Sequence, residues 1–304
     1  MSYKLDYSQN PSLPRAMKLV AAAKANDPFL WAKKDGEWQT TTFGEVYAKV
    51  RAMAAALKSY GIQPGDRVSL VSENRPDWVV AHYAILSAGA VSVPAYTTNT
   101  VEDHVHILSD SGAKAVFVST PGMAKRVVPA AMQVPGVETV IGFDDVYSGE
   151  GLKSYALADE VERFKDDDYC DTILDSIDPF GLAVLIYTSG TGGKPKGVML
   201  SHRAVLHNAE AAQDVLEEGY DLGEEVFLSF LPLSHSYEHM AGLIFPIAAG
   251  SQIYYAESVD KLLTNMGEVR PTIMTAVPRL FESMRMRILQ NIEKASSVQK
   301  WMFW

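Results

Sequence analysis

The run Leu182-Ala-Val-Leu-Ile-Tyr187 is apolar on both of its faces. A strand alternates sides, so such a run is stable only when both sides are covered. It predicts a central strand of a mostly parallel sheet with helices packed on each side. The next ten residues reverse that chemistry. Thr188-Ser-Gly-Thr-Gly-Gly-Lys-Pro-Lys-Gly197 holds hydroxyls at Thr188, Ser189 and Thr191 and charges at Lys194 and Lys196. Each hydroxyl can donate to a phosphate oxygen. Gly190, Gly192 and Gly193 leave no Cβ in the way, so backbone N–H groups can approach an anion. The lysines oppose the charge of a nucleotide triphosphate, and Pro195 stiffens the exit toward Gly197. Parallel α/β sheets bind ligands off such strand ends. The loop reads as a phosphate cradle.

Two commoner cradles are excluded. A P-loop needs Gly-x4-Gly-Lys followed by Ser or Thr. From Gly190 the second glycine falls on Pro195; from Gly192 it falls on Gly197, which Val198 follows. A dinucleotide fingerprint from Gly190-x-Gly192 also meets Pro195 where it needs glycine. The plain alternative is a surface loop rich in turn residues.

Upstream, strands and helices alternate, which implies β-α-β units. Thr42 and Glu45 have capping-box spacing before a helix that Gly61 ends. Strands are expected at Arg67 to Val71, Val91 to Pro94 and Ala115 to Ser119, with helices at Asp77 to Ala88 and Val101 to Asp110. Asp144 to Asp178 reads as a solvated acidic connection. A divalent-metal cluster there is the sharper alternative, but the spacing lacks the glycine and terminal glutamate of a calcium loop. Downstream, strands are expected at Val198 to Leu200, Val226 to Phe230, Gln252 to Tyr255 and Thr272 to Val277. Ser201 caps one helix, Gly250 closes another over His239 to Ala249, and a last one follows Pro278. The reading is two stacked α/β subdomains with mostly parallel sheets, 1–178 and 179–304.

A net charge of −10 argues against general nucleic-acid binding, which needs a basic surface. The one cysteine, Cys170, can form no intramolecular disulfide, which fits a reducing compartment. The first residues lack a signal-peptide core, and the run Met240 to Gly250 is too short to span a membrane. A cytoplasmic protein is expected, with peripheral membrane contact open. Its oligomeric state is not legible.

Tyr187 to Gly197 resembles the signature of the acyl-adenylate-forming ligases, the superfamily of acyl-CoA synthetases, luciferases and peptide-synthetase adenylation domains. Gly192 departs from it, since members often carry a hydroxyl there. Asp35 to Glu45, Gly65 to Val68, Glu73 to Trp78 and Gly89 to Ala95 resemble the early part of such enzymes. Phe230 to His235 resembles the motif whose histidine lies by the acyl pocket, and Ala276 to Glu282 is most similar to long-chain fatty-acid–CoA ligases. The resemblance implies the N-terminal part of an acyl-CoA synthetase-like large domain. It implies attack of a fatty acid on the α-phosphate of Mg·ATP, giving acyl-AMP, then displacement of AMP by coenzyme A. Ser189, Thr191 and Lys196 would hold phosphates, and Thr188 phosphate or a Mg²⁺-bound water. His235 and His239 would line the acid pocket. No nucleophilic or acid–base catalytic residue is assigned, because positioning and charge neutralisation suffice.

His235-Ser-Tyr-Glu-His239 also fits one zinc-peptidase pattern, and two packed histidines without a ligand is the plainer reading. The family's adenine-binding motif, ribose-binding aspartate, magnesium-binding glutamate, hinge and late lysine are not found. With the apolar ending Trp301-Met-Phe-Trp304, this reads as a fold that continues beyond Trp304 and a chain inactive alone. The rivals are a non-catalytic nucleotide-binding fragment and another adenylate former, such as an aryl-CoA ligase or a luciferase-like enzyme.

Overall fold

The computed structural model describes residues 3–9, 11–145, 151–188, 193–220 and 222–294. Helix α1 (Leu13–Ala23) precedes a hairpin of β1 (Pro28–Lys34) and β2 (Glu37–Thr42). Then come α2 (Phe43–Ser59), β3 (Arg67–Val71), α3 (Pro76–Ser87), β4 (Val91–Ala95), α4 (Val101–Ser111), β5 (Ala113–Val118), α5 (Pro121–Met132), β6 (Thr139–Gly142) and β7 (Lys153–Ala156). Helices α6 (Leu157–Arg163) and α7 (Tyr169–Ile173) lead to β8 (Leu182–Thr188), β9 (Lys196–Ser201), α8 (His202–Gly219) and β10 (Val226–Ser229). A composite helix follows: α9 (Ser236–Glu238), a π-helical stretch His239–Ile244, and α10 (Phe245–Ala248). The described part ends with β11 (Gln252–Tyr255), α11 (Leu262–Val269) and α12 (Pro278–Lys294).

The strands form two sheets. One has the order β7-β6-β5-β3-β4-β8-β9 and the other β10-β11-β1-β2. All neighbours in the larger sheet are parallel except β8 and β9. In the smaller sheet only β1 and β2 are antiparallel. Residues 178 and 179 lie between β7 and β8, which belong to one sheet, while the N-terminal hairpin joins the sheet of β10 and β11. The sheets thus exchange strands across the expected subdomain boundary.

Alternation along the strands explains the layers. Val68 and Leu70 of β3, Phe117 of β5 and Ile186 of β8 share one buried cluster with Phe29 of β1, Phe227 of β10 and Ile253 of β11. Buried side chains of α1, α2 and α3 belong to the same cluster. The opposite faces of β5 and β8, including Val116, Val118, Leu185 and Tyr187, pack with α4 and α5. The expected start of α2 is present: Thr42 Oγ1 accepts from Glu45 N at 3.2 Å, and the Glu45 carboxylate accepts from Thr42 N at 2.8 Å.

Two segments differ from the sequence reading. The described part of the acidic stretch from residue 151 on is structured: β7 extends the larger sheet, and Leu157, Cys170 and Leu174 are buried, while 146–150 lie outside the described residues. Among its acids, Asp171 is held by Lys18 and Arg51 at 2.9 Å each. The apolar residues between the aspartates outweigh them once α2 supplies a surface to cover. Thr272 to Val277 makes only a single bridge, Ile273 to Phe227, in place of a strand. No helix among the described residues is long and apolar enough to cross a membrane.

His82, His104, His202 and His239 are buried. Burial pulls His104, His202 and His239 down to about 4, and His82 well below its ordinary value. The unfolded chain then binds more protons than the fold below about pH 6.5, so stability falls as pH falls through this range. At about pH 5 the loss is at most about 2 kcal/mol for each of His104, His202 and His239. The Glu238 carboxyl, raised to about 7 by burial, acts oppositely. It returns at most about 2 kcal/mol over that interval, so the net effect is a loss. We expect a lower urea midpoint at pH 5 than at pH 7; equal midpoints would contradict neutral buried imidazoles.

Candidate functional site

β8 delivers the candidate loop to the C-terminal end of the larger sheet. It is parallel to β4 on one edge and forms a hairpin with β9 on the other. Thr188 and Lys196 are register partners at the hairpin mouth, and both are exposed. Ser189, Gly190, Thr191 and Gly192 lie outside the described residues. Gly193 has φ of +132°, a conformation that side chains with a Cβ rarely adopt. Lys194 is exposed, and among the described residues neither Lys194 nor Lys196 has an ion-pair partner.

Helix α4 braces this hairpin. Tyr187 donates its hydroxyl to Asp110 Oδ2 at 2.7 Å, and His106 Nε2 lies 2.8 Å from the Pro195 carbonyl. The His106 and Tyr187 rings meet edge to face at 6.1 Å. Burial, then the Asp110 carboxylate, push the Tyr187 phenol up, so it stays a donor. Gly197 is the register partner of Tyr187, and a Cβ there would stand 3.1 Å from the Tyr187 ring. That packing is the structural reason for a glycine at 197. His106 and Asp110 escape the sequence reading. Their spacing of four on α4 puts them on one helix face, but nothing local says that the face meets residue 187.

The two histidines expected in one pocket differ in exposure. His235 is exposed at the N-cap of α9, where Nδ1 accepts from Tyr237 N at 3.3 Å. His239 is 1% exposed. Its Nδ1 lies 3.2 Å from the Leu233 carbonyl, and its ring meets His82 and Trp78 at 4.8 and 5.8 Å. His239 therefore lies in the core, with its Nε2 buried and unpartnered among the described residues. Among the described residues no three His, Cys, Asp or Glu side chains gather as a metal-ligand set.

A cleft of about 570 Å³ adjoins another of about 210 Å³. They share Glu73, Asn74, Ala256 and Glu257, just beyond the ends of β3 and β11. Phe230, Pro232 and Ser234 help to line the smaller cleft. Asn74 ties its walls together. Its Nδ2 donates to Ser229 Oγ at 3.0 Å and to the Leu231 carbonyl at 2.7 Å, and its Oδ1 accepts from Leu233 N at 3.0 Å. Arg75 beside it is held by Asp77 at 2.7 Å and Asp144 at 3.2 Å.

The sequence pattern of the AMP-binding enzyme family extends over residues 18–303. The chain belongs to this family. It is 32% identical over 263 residues to the long-chain-fatty-acid–CoA ligase FadD15 of Mycobacterium tuberculosis, a match covering 86% of this chain and 42% of that protein. It is 29% identical over 278 residues to the long-chain-fatty-acid–CoA ligase ACSBG2 of Xenopus laevis, covering 89% and 38%. The chain thus spans about two fifths of these relatives' length. The adenylation domain of a carboxylate reductase from Mycobacterium chelonae shares the fold with a TM-score of 0.80 at 21% identity, covering 97% of this chain and 51% of that one. The anthranilate CoA ligase AuaEII, solved with anthranoyl-AMP, gives 0.77 at 21% identity, covering 91% and 52%.

We expect Tyr187→Phe, which leaves Asp110 without its donor, to cost about 1 kcal/mol in urea denaturation. Wild-type stability in this variant would remove the Tyr187–Asp110 bond from the support of the hairpin. Gly197→Ala should also lower the urea midpoint, because the Tyr187 ring must give way.

Proposed function

We propose that this chain is the nucleotide- and acid-binding portion of an ATP-dependent acid–thiol ligase acting on long-chain fatty acids. The observation that carries the reading is the β8–β9 hairpin. It sets Lys196, unpaired among the described residues, opposite the Thr188 hydroxyl at the C-terminal edge of a parallel sheet. Lys196 and Lys194 would neutralise phosphate charge, and Thr188 with Ser189 and Thr191 would donate to phosphate oxygens. The glycines Gly190, Gly192 and Gly193 would admit the nucleotide. Thr188 is the one hydroxyl of this set with a described position. Magnesium would be held here through water or phosphate at Thr188.

In the proposed reaction the fatty-acid carboxylate attacks the α-phosphorus of ATP. A carboxylate O–P bond forms, pyrophosphate leaves, and acyl-AMP results. The thiol of coenzyme A then attacks the acyl carbon, gives up its proton, and AMP leaves. The chain's own residues would orient and neutralise the reacting groups, which lowers the barrier without a protein nucleophile. His235, exposed after β10, would line the acid pocket, a role supported by the Phe230 to His235 motif. The long-chain preference is supported by the relatives named above. A nucleotide-binding protein without turnover is the second reading.

Charge-assisted hydrogen bonds contribute about 1.5–3 kcal/mol. We therefore expect Lys196→Ala to weaken ATP binding at least about tenfold in calorimetry. Unchanged affinity would remove Lys196 from the site. The 304-residue chain should bind ATP yet form no palmitoyl-CoA, and robust ATP–pyrophosphate exchange with palmitate would refute that expectation.

A further inference from the structure

Glu238 is fully buried in the first turn after His235. A buried carboxyl group is costly unless a cation or hydrogen bonds compensate it. Its partners here are hydroxyls: Ser229 Oγ donates to Oε1 at 2.6 Å, and Thr275 Oγ1 bonds Oε2. The π-helical stretch follows it directly and widens the turn at this point. A Cβ at Gly242 would collide with the carboxyl group.

The carboxyl joins separate parts of the cleft wall. Ser229 Oγ also accepts from Asn74, which holds Leu231 and Leu233 in the turn before His235. Thr275 brings in the segment that bridges to β10 through Ile273. One side chain thus links the β3–α3 loop, the end of β10, the His235 turn and the segment before α12. Burial raises this carboxyl to about 7. Tyr255 on β11 senses its charge, and Tyr83 on α3 acts on Tyr255; burial keeps both phenols neutral. His239, the next residue, is held neutral by burial near pH 7.

We propose that Glu238 is a positioning residue of the acid-binding cleft, latching the His235 turn to the Asn74 loop as a neutral acid and loosening that wall as a carboxylate. The assignment of the cleft to the acid rests on the ligase reading above. The latch itself follows from the bonds. An ionised carboxylate with two hydroxyl donors and, among the described residues, no cation favours states that let water reach it.

Hydrogen exchange of the 304-residue chain, read by mass spectrometry and corrected for intrinsic chemistry, tests the latch. Peptides across 229–240 and 72–76 should exchange about tenfold faster at about pH 8 than at about pH 6, while α2 peptides keep their rates. Glu238→Gln should abolish this pH dependence. Thr275→Val, which removes a bond that favours the carboxylate, should move the midpoint upward. A flat wild-type profile overturns the proposal, whether or not Glu238→Gln folds. So does a Glu238→Gln profile that follows the wild type. Palmitate titration separates the two readings: no binding at either pH overturns the acid assignment of the cleft, whereas a flat exchange profile with binding intact overturns the latch alone.

Discussion

β8 is paired on both edges, and its side chains are buried on both faces. Val184 and Ile186 belong to the cluster between the sheets, while Leu185 and Tyr187 pack with the cluster that includes Ile107 and Leu108 of α4. A strand held this way cannot slip by one residue without exchanging its two faces. The register of β8 therefore fixes where Thr188 emerges, and the hairpin pairing fixes Lys196 opposite it. The α4 contacts at Pro195 and Tyr187 act on a loop already placed by the sheet.

The cleft depends on long-range pairing. β1 is inserted between β2 and β11, and the Trp31 indole donates to Gln252 Oε1 at 2.9 Å while stacking on Tyr254. Lys33 pairs with Glu257 and Glu268, but such partly exposed pairs contribute little by themselves. Apolar burial of Phe29, Leu30 and Ile253 supplies the larger share. The cleft is consequently a seam between two sheets, lined by residues far apart in the chain.

Legibility in the sequence follows the range of the interactions. β3 and β11 occur over the residues where strand periodicity and turn residues, both local, predict them. The same holds for the Thr42 cap. The β1–β2 hairpin escapes the sequence reading despite a local signal: Asp35 and Gly36 both take positive φ, as its tight turn requires. The pairing of β1 with β11 has no local signal at all, so a boundary drawn at residue 178 cannot reveal the strand exchange. Among the candidate residues, Thr188 and Lys196 come together because a hairpin is local. His239 is buried and His235 is not, because helical spacing says nothing of which side the core covers.

Stability explains some of these residues and leaves others without a structural need. His239 fills a packed niche, and Gly197 accommodates a ring. Lys194 and Lys196 do neither: they are exposed and unpaired among the described residues, so the fold gains little from them. Glu238 goes further, since a carboxyl raised to about 7 opposes folding at neutral pH, where the unfolded chain releases its proton more readily. Natural sequences break local rules chiefly where function repays them. The unpaired lysines at the hairpin mouth and the buried acid behind the cleft wall are departures, among the described residues, that packing does not require.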